Sequence, residues 1–304
     1  MQWILIALLA PACWALGNHI DKYLLGQRLD QRGIGSLMLF SALIGLPMML
    51  LIVLIQPGVF QLSPLAGAIM MLNGMLYVIG LLPYFYALQH DEASIVVPLF
   101  QTTAVFSYLL GLLVLGEELT DYQICAALLI VVGSIMITLE IDQRRSKFKV
   151  KIFALMLLAS LLNALNWLLF KVVAIREDFW VSSFWEYAGF TLAGVLMLLF
   201  VKSYRSEFVA VLRQSKLNVL GLVTLNETLS LAAKTATNFA SLLAPLALVS
   251  TVHGLQPLFV FTFGVLLTLY LPRYGRERLN TGIIFQKVAA ITLMVIGTSL
   301  LTLV

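Results

Sequence analysis

The chain has 304 residues, of which 61% are hydrophobic and 11% charged, and its mean hydropathy is +0.98. Soluble domains carry about a quarter charged residues, so this composition excludes a water-soluble enzyme or binding module as the main architecture. The net charge of +4 and pI of about 9.1 do not point to nucleic acid, because the basic residues sit in short loops and form no stripe on a soluble face.

In chain order, apolar runs give candidate spans near 3–22, 34–55, 65–88, 93–114, 121–139, 151–173, 182–201, 217–237, 243–270 and 281–303. Runs this long, without period-two alternation, require helices, which satisfy their own backbone groups in lipid. A span needs about 20 residues, so ten consume roughly 200 and leave no room for a soluble domain. No Lys or Arg precedes the first apolar run, so 1–25 reads as a retained span and not as a signal peptide. Ser63 before Pro64, and Thr120 and Asn280 before apolar runs, have the chemistry of helix N-caps. Cys13 and Cys125 lie inside apolar runs and read as small hydrophobes.

The longest polar connection, 140–151, divides the chain near its midpoint and separates two similar halves. Ala93-Ser94-x-x-x-Pro98-Leu99 recurs as Ala240-Ser241-x-x-x-Pro245-Leu246, and Lys22 ending span 1 matches Lys171 ending span 6. Gly116 to Thr120 is echoed loosely by Gly275 to Asn280, and Gly133-Ser134 by Gly297-Thr298. The expected fold is therefore all-α and integral to the membrane, with ten transmembrane helices in two five-helix repeats, 1–139 and 152–304, joined by a basic linker at 140–151. An odd number of helices per repeat inverts the second copy, and inverted repeats place a site near the bilayer midplane between them. Most of the 19 basic residues, including Arg144, Arg145, Lys147, Lys149 and Lys151, fall in odd-numbered loops. The positive-inside rule then puts both termini outside the cytoplasm.

Residues 98–138, PLFQTTAVFSYLLGLLVLGEELTDYQICAALLIVVGSIMIT, carry a Pro opening an apolar helix, then Gly-Glu-x-Leu-Thr, then a helix with a late Gly. This run resembles the signature of the drug/metabolite transporter superfamily, EamA-like branch, and Ala93-Ser94 and its copy before Pro245 fit as well. The resemblance implies a substrate cavity between the halves, lined by helices 1, 3, 4, 6, 8 and 9, with 5 and 10 peripheral. The second repeat departs from the pattern, since its glutamate lies in a basic loop and span 10 carries Lys287. Many members of that family resemble a plan with the termini inside, opposite to the orientation the charges give here.

Polar residues inside spans are costly and are candidates for function, with hydrogen-bonding glue between helices as the plainer alternative. In span 1, Trp14, Asn18 and Asp21 share a face, and in span 6 Asn163, Trp167, Phe170 and Lys171 share the equivalent one, with Asn166 beside it. Lys22 and Lys171 can snorkel from helix ends, Asp21 can pair with Lys22, and His19, far around the helix from Trp14, reads as a packing histidine. Span 3 aligns Asn73, Tyr77 and Tyr84; span 4 offers Gln101; span 9 offers His253 and Gln256, with prolines 98, 245 and 257 as sites of kinking. Span 8 is richest: Glu227, Ser230 and Lys234 fall on one face with Asn226 next to it. Glu227 is expected to face the cavity or to bond Asn163, Asn166 or His253, with Lys234 nearer the membrane surface. Trp3, Tyr23, Trp180, Trp185, Tyr204, Tyr270 and Tyr274 lie near span ends and read as interfacial anchors, and His90-Asp91-Glu92 reads as a solvated turn.

These features suit a secondary transporter in the cell membrane, an exporter or exchanger of a small polar or amphipathic metabolite, with an amine or zwitterion favoured and proton coupling open. The alternative is a flippase or exporter of a lipid-linked or amphiphilic head group. An intramembrane enzyme would need a nucleophile with a base, or a metal trio. The chain has no His-Glu-x-x-His, no Gly-x-Ser-x-Gly and only three histidines. No cofactor, metal or nucleic-acid partner is expected; the membrane lipids are, and the chain can serve as monomer or homodimer.

Overall fold

A computed structural model describes residues 2–29, 33–115, 121–142, 145–243, 249, 252–272 and 281–300. Helix α1 (Gln2–Tyr23) ends in a π-helical turn, Leu24–Arg28. Helices α2 (Gly33–Leu43) and α3 (Gly45–Ile55) run on as one stretch, followed by α4 (Pro64–His90). The Ser63 hydroxyl accepts from the Ala66 N–H with Pro64 in the first turn, the expected cap. Next come α5 (Ala93–Val96), a 3-10 turn (Val97–Gln101) containing Pro98, α6 (Thr102–Leu115) and α7 (Asp121–Thr138).

The connection expected as a polar linker forms a hairpin, β1 (Leu139–Asp142) paired antiparallel with β2 (Arg145–Phe148). The second half holds α8 (Val150–Ala174), α9 (Phe179–Phe200), α10 (Lys202–Gln214), α11 (Leu217–Leu243), α12 (Gln256–Tyr270) and α13 (Thr281–Leu300). Asp178 caps α9 by accepting from the Trp180 and Val181 N–H groups. The single run expected over 243–270 is interrupted: α11 continues to Leu243, Val252 and His253 are helical, and a turn at 254–255 precedes α12, with Pro257 in its first turn. Thr120, Asn280, Pro245 and the segments 116–120 and 275–280 lie outside the described residues.

Among the described residues, five stretches are long and apolar enough to cross a bilayer: Gly33–Ile55, Pro64–His90, Ala93–Val114, Val150–Ala174 and Phe179–Phe200. Helices α1 and α11 have spanning length at 22 and 27 residues, and they carry polar faces turned inward. Leu54, Leu65, Leu113, Phe200 and Phe285 point outward and exposed, an apolar surface that requires lipid. Cys125 is also exposed, on the outside of α7, where the sequence suggested a buried thiol.

Packing pairs the helices across the two halves: α1 lies on α11 and α12, and α8 on α4 and α6. Helices α4 and α9 meet at Gly74 and Gly189, where a Cβ on either would stand 2.0 Å from a backbone oxygen of the other helix, so only glycine permits this approach. Gly133 of α7 and Gly297 of α13 serve likewise against Ala290 and Ala126 of the opposing helix.

Helix α10, placed by the sequence in a basic loop, is amphipathic, and the short run of 13 residues gave no span signal. Its Tyr204, Phe208 and Val211 recur at helical spacing; the Phe208 ring packs tilted against Phe40 at 4.8 Å, and Tyr204 packs against Gly35. Burial, and after it the Glu207 carboxylate nearby, raises the Tyr204 phenol above its usual range. Tyr23 is buried in the core and is not the interfacial anchor its position suggested, whereas Tyr270 is exposed at the end of α12.

Candidate functional site

Helical spacing places Trp14, Gly17, Asn18 and Asp21 along one face of α1, and the same spacing aligns Glu227, Ser230 and Lys234 on α11. Both faces turn into one cavity of about 130 Å³. Helix α4 adds Tyr77, Gly80 and Tyr84; α8 adds Asn163 and Trp167; Gln101 ends the turn that contains Pro98 and Thr103 lies in α6; His253 precedes α12 and Gln256 opens it. Asn226 and Ser41 complete the polar lining, and Phe85, Phe100 and Leu162 supply apolar wall. A single water needs roughly 10–15 Å³ measured this way, so the space suits a small molecule.

At one end, hydrogen bonds converge on Asp21. Gln256 donates to the Asn18 carbonyl (3.0 Å), Asn18 donates to the Tyr84 hydroxyl (2.7 Å), and Tyr84 donates to Asp21 (3.0 Å). From the other side Asn226 donates to Asp21 at 2.6 Å. Asp21 thus does not pair with Lys22, whose ammonium donates instead to the Leu88 carbonyl. Glu227 accepts from Ser41 at 2.8 Å; of the partners expected for it, Asn166 donates to Glu186 and His253 meets Thr237, while Asn163 shares the cavity lining. Among the described residues neither Asp21 nor Glu227 has an ion pair, although both are buried.

The other end is compensated. The Lys234 ammonium lies 3.1 Å from Glu186, 2.9 Å from the Asn166 carbonyl oxygen and 4.4 Å from the centre of the Tyr77 ring. Glu186, fully buried on α9, also accepts from Asn73, Asn166 and Asn238. Lys234 is 2% exposed and buried inside the protein, where Glu186 holds it. Asn166 sits behind the cavity wall in this cluster, and of the α8 candidates Asn163 and Trp167 line the cavity while Asn166, Phe170 and Lys171 are not part of its lining.

Three buried polar atoms on the lining residues have no partner: Thr103 Oγ1, Asn226 Oδ1 and His253 Nδ1. The Thr237 hydroxyl donates to the Ala233 carbonyl, so its contact with His253 Nε2 (3.1 Å) is accepted from an Nε2–H. His253 therefore presents Nδ1 as a bare acceptor, with Trp14 and Trp167 packed against its ring at 5.3 and 5.1 Å. His19, by contrast, bonds the Val260 carbonyl at 2.8 Å and packs between helices.

The sequence reading missed Glu186 and Asn238. An acidic residue within the apolar run FWVSSFWEYAGF is the signal that could have found Glu186. The turn at 90–92 is also more than a solvated loop. Asp91 pairs with Lys149 at 2.7 Å, and Glu92 pairs with Lys287, which also donates to Ser94.

Residues 1–139 match the family model of the EamA-like transporter family. The first half is EamA-like. The match is consistent with the drug/metabolite transporter superfamily and agrees with the apolar helices above. No curated protein matches the chain. One solved crystal structure is similar over 99% of this chain and 96% of its own, at 15% identity and a TM-score of 0.57, so the EamA-like half and the remainder share one fold with it.

Proposed function

We propose that the chain is a secondary transporter of a small polar or amphipathic metabolite, working by alternating access at the cavity between its halves. The observation that carries this reading is the cavity itself, walled by α1 and α4 from one half and by α8 and α11 from the other, with the carboxylates of Asp21 and Glu227, which have no ion pair among the described residues, on its lining. Residues 1–139 and 152–304 act as inverted repeats around it. This is supported by the matched packing of α1 on α11 and of α8 on α4, and by the reciprocal glycines of α7 and α13. Asn18, Asp21, Asn226, Glu227 and His253 bind the substrate's polar group, and Trp14, Trp167, Tyr77 and Tyr84 hold its body. An amine suits these acceptors, and a proton can neutralise the carboxylates when the site is empty, which couples the two.

A thermal-shift screen of the purified protein against metabolites, followed by flux in proteoliposomes, tests the proposal, since a ligand that binds the native state raises its stability by mass action. Saturable flux is expected. Binding of lipid extracts alone, with no free metabolite bound, would assign the cavity to a lipid-linked head group. For orientation, both termini lie outside the cell membrane's cytoplasmic face. An external protease is therefore expected to remove a C-terminal tag from intact cells, and a tag cut only after permeabilisation reverses the topology.

A further inference from the structure

Resting on the transport reading above, we infer that the substrate is an organic amine that carries no carboxylate, bound as a cation. Its ammonium sits among Asp21, Glu227 and Asn226, and its apolar body lies against Trp14, Trp167 and Phe100.

The argument is a balance of donors and acceptors around one cavity. The acceptors have capacity to spare. Asp21 takes one bond on each oxygen and Glu227 one on a single oxygen, against about four lone-pair sites on each carboxylate. Asn226 is locked with its NH2 towards Asp21, and its Oδ1 is buried without a partner against Gly17, so the spare acceptor capacity rests on the two carboxylates. An ammonium supplies three donors and a positive charge, and satisfies this set at once.

A substrate carboxylate finds the opposite situation. Among the described residues the cation lining the cavity is Lys234, and Glu186, Asn166 and the Tyr77 face already hold it. Drawing Lys234 towards a substrate would strand Glu186, which is fully buried, with three amide donors and no counter-charge, and an unpaired buried charge is among the costliest defects in a protein interior. Gln256 and Asn18 each commit one amide N–H, to Asn18 and Tyr84, and the second N–H of each is neutral. What remains on Asn163 and Ser230 is neutral and serves a hydroxyl or amide better than an anion. The cavity therefore selects against zwitterions by the charge it lacks.

Matched pairs that differ by one carboxylate test this directly: phenethylamine against phenylalanine, tyramine against tyrosine, agmatine against arginine, cadaverine against lysine. In thermal-shift titrations of the purified full chain, at least one amine is expected to bind 10-fold or more tightly than its parent amino acid. Glu227→Gln is expected to weaken that amine at least 10-fold. An amino acid that binds as well as its amine overturns the inference, as does binding by neither member of every pair or an unchanged amine affinity in Glu227→Gln. An amine that binds selectively yet shows no flux in proteoliposomes overturns the transport reading and leaves the cation site standing, so the two failures are told apart.

Discussion

Glu186 and Glu227 are both glutamates buried in long helices, yet they sit in opposite chemical surroundings. Glu186 receives three asparagine amides and one ammonium, and its helix is clamped against α4 where Gly74 meets Gly189. Glu227 receives one serine hydroxyl and opens on the cavity. A buried charge that is fully paired reads as structure, and one that is left incompletely paired beside open space reads as function. The amino-acid type is the same in both places; the neighbours assign the role.

The largest effect expected from breaking this contrast is on the compensated side. Lys234→Met removes the charge that balances Glu186 and should cost about 3–5 kcal/mol of stability, because it leaves a carboxylate buried without a counter-ion. Unfolding of the purified protein in detergent measures it. The double variant Glu186→Gln/Lys234→Met should recover a substantial part of the loss, since it removes the other charge as well. A Lys234→Met variant as stable as the parent would show that the asparagines alone suffice for Glu186.

A smaller effect is expected at the ion pairs that tie the turn between α4 and α5 to the second half. Glu92 is 17% exposed on its side chain and Lys287 4%, so Glu92→Gln leaves Lys287 with Ser94 but without this carboxylate. A loss of about 1–3 kcal/mol follows for a charge-assisted contact of this kind. Exchanging the charges, as Glu92→Lys with Lys287→Glu, should restore part of it. If Glu92→Gln unfolds at the same midpoint as the parent, the pair contributes nothing measurable, as exposed ion pairs commonly do.

The two glutamates also show how far the sequence could be read. Glu227 was legible because helical phase put Ser230 and Lys234 on its face, and phase is a property of one helix. The same reasoning aligned Trp14 with Asn18 and Asp21, and the structure turns that face into the cavity. What phase could not give is which helix lies opposite. The bonds from Asn226 to Asp21 and from Lys234 to Glu186 each join two helices, and a single sequence carries no record of such contacts. The partner of Lys234 is hidden for that reason: within α11 alone it has no counter-charge at bonding distance, and α9 supplies one. Helix α10 and the 139–148 hairpin escaped for a different cause, being short elements whose polar composition looks like loop until their contacts are known.

The smallest effect is expected at Glu227, and its smallness is informative. Glu227→Gln keeps the side chain's length and shape, and the amide oxygen can still accept from Ser41, so no hydrogen bond of the folded state needs to be lost. What disappears is a carboxylate that, among the described residues, has no ion pair, and removing an uncompensated charge from a buried site carries little penalty and can stabilise. The expected change in unfolding free energy is therefore within about 1 kcal/mol in either direction, the range of a conservative replacement. Substrate binding, in contrast, should drop at least 10-fold, because the lost group is a charged acceptor for the ammonium. Stability and binding thus part company at this position, while at Lys234 the effect falls on stability. A Glu227→Gln protein destabilised by 3 kcal/mol or more would mean that its carboxylate holds the helices together much as Glu186 does, and the contrast between the two glutamates would collapse.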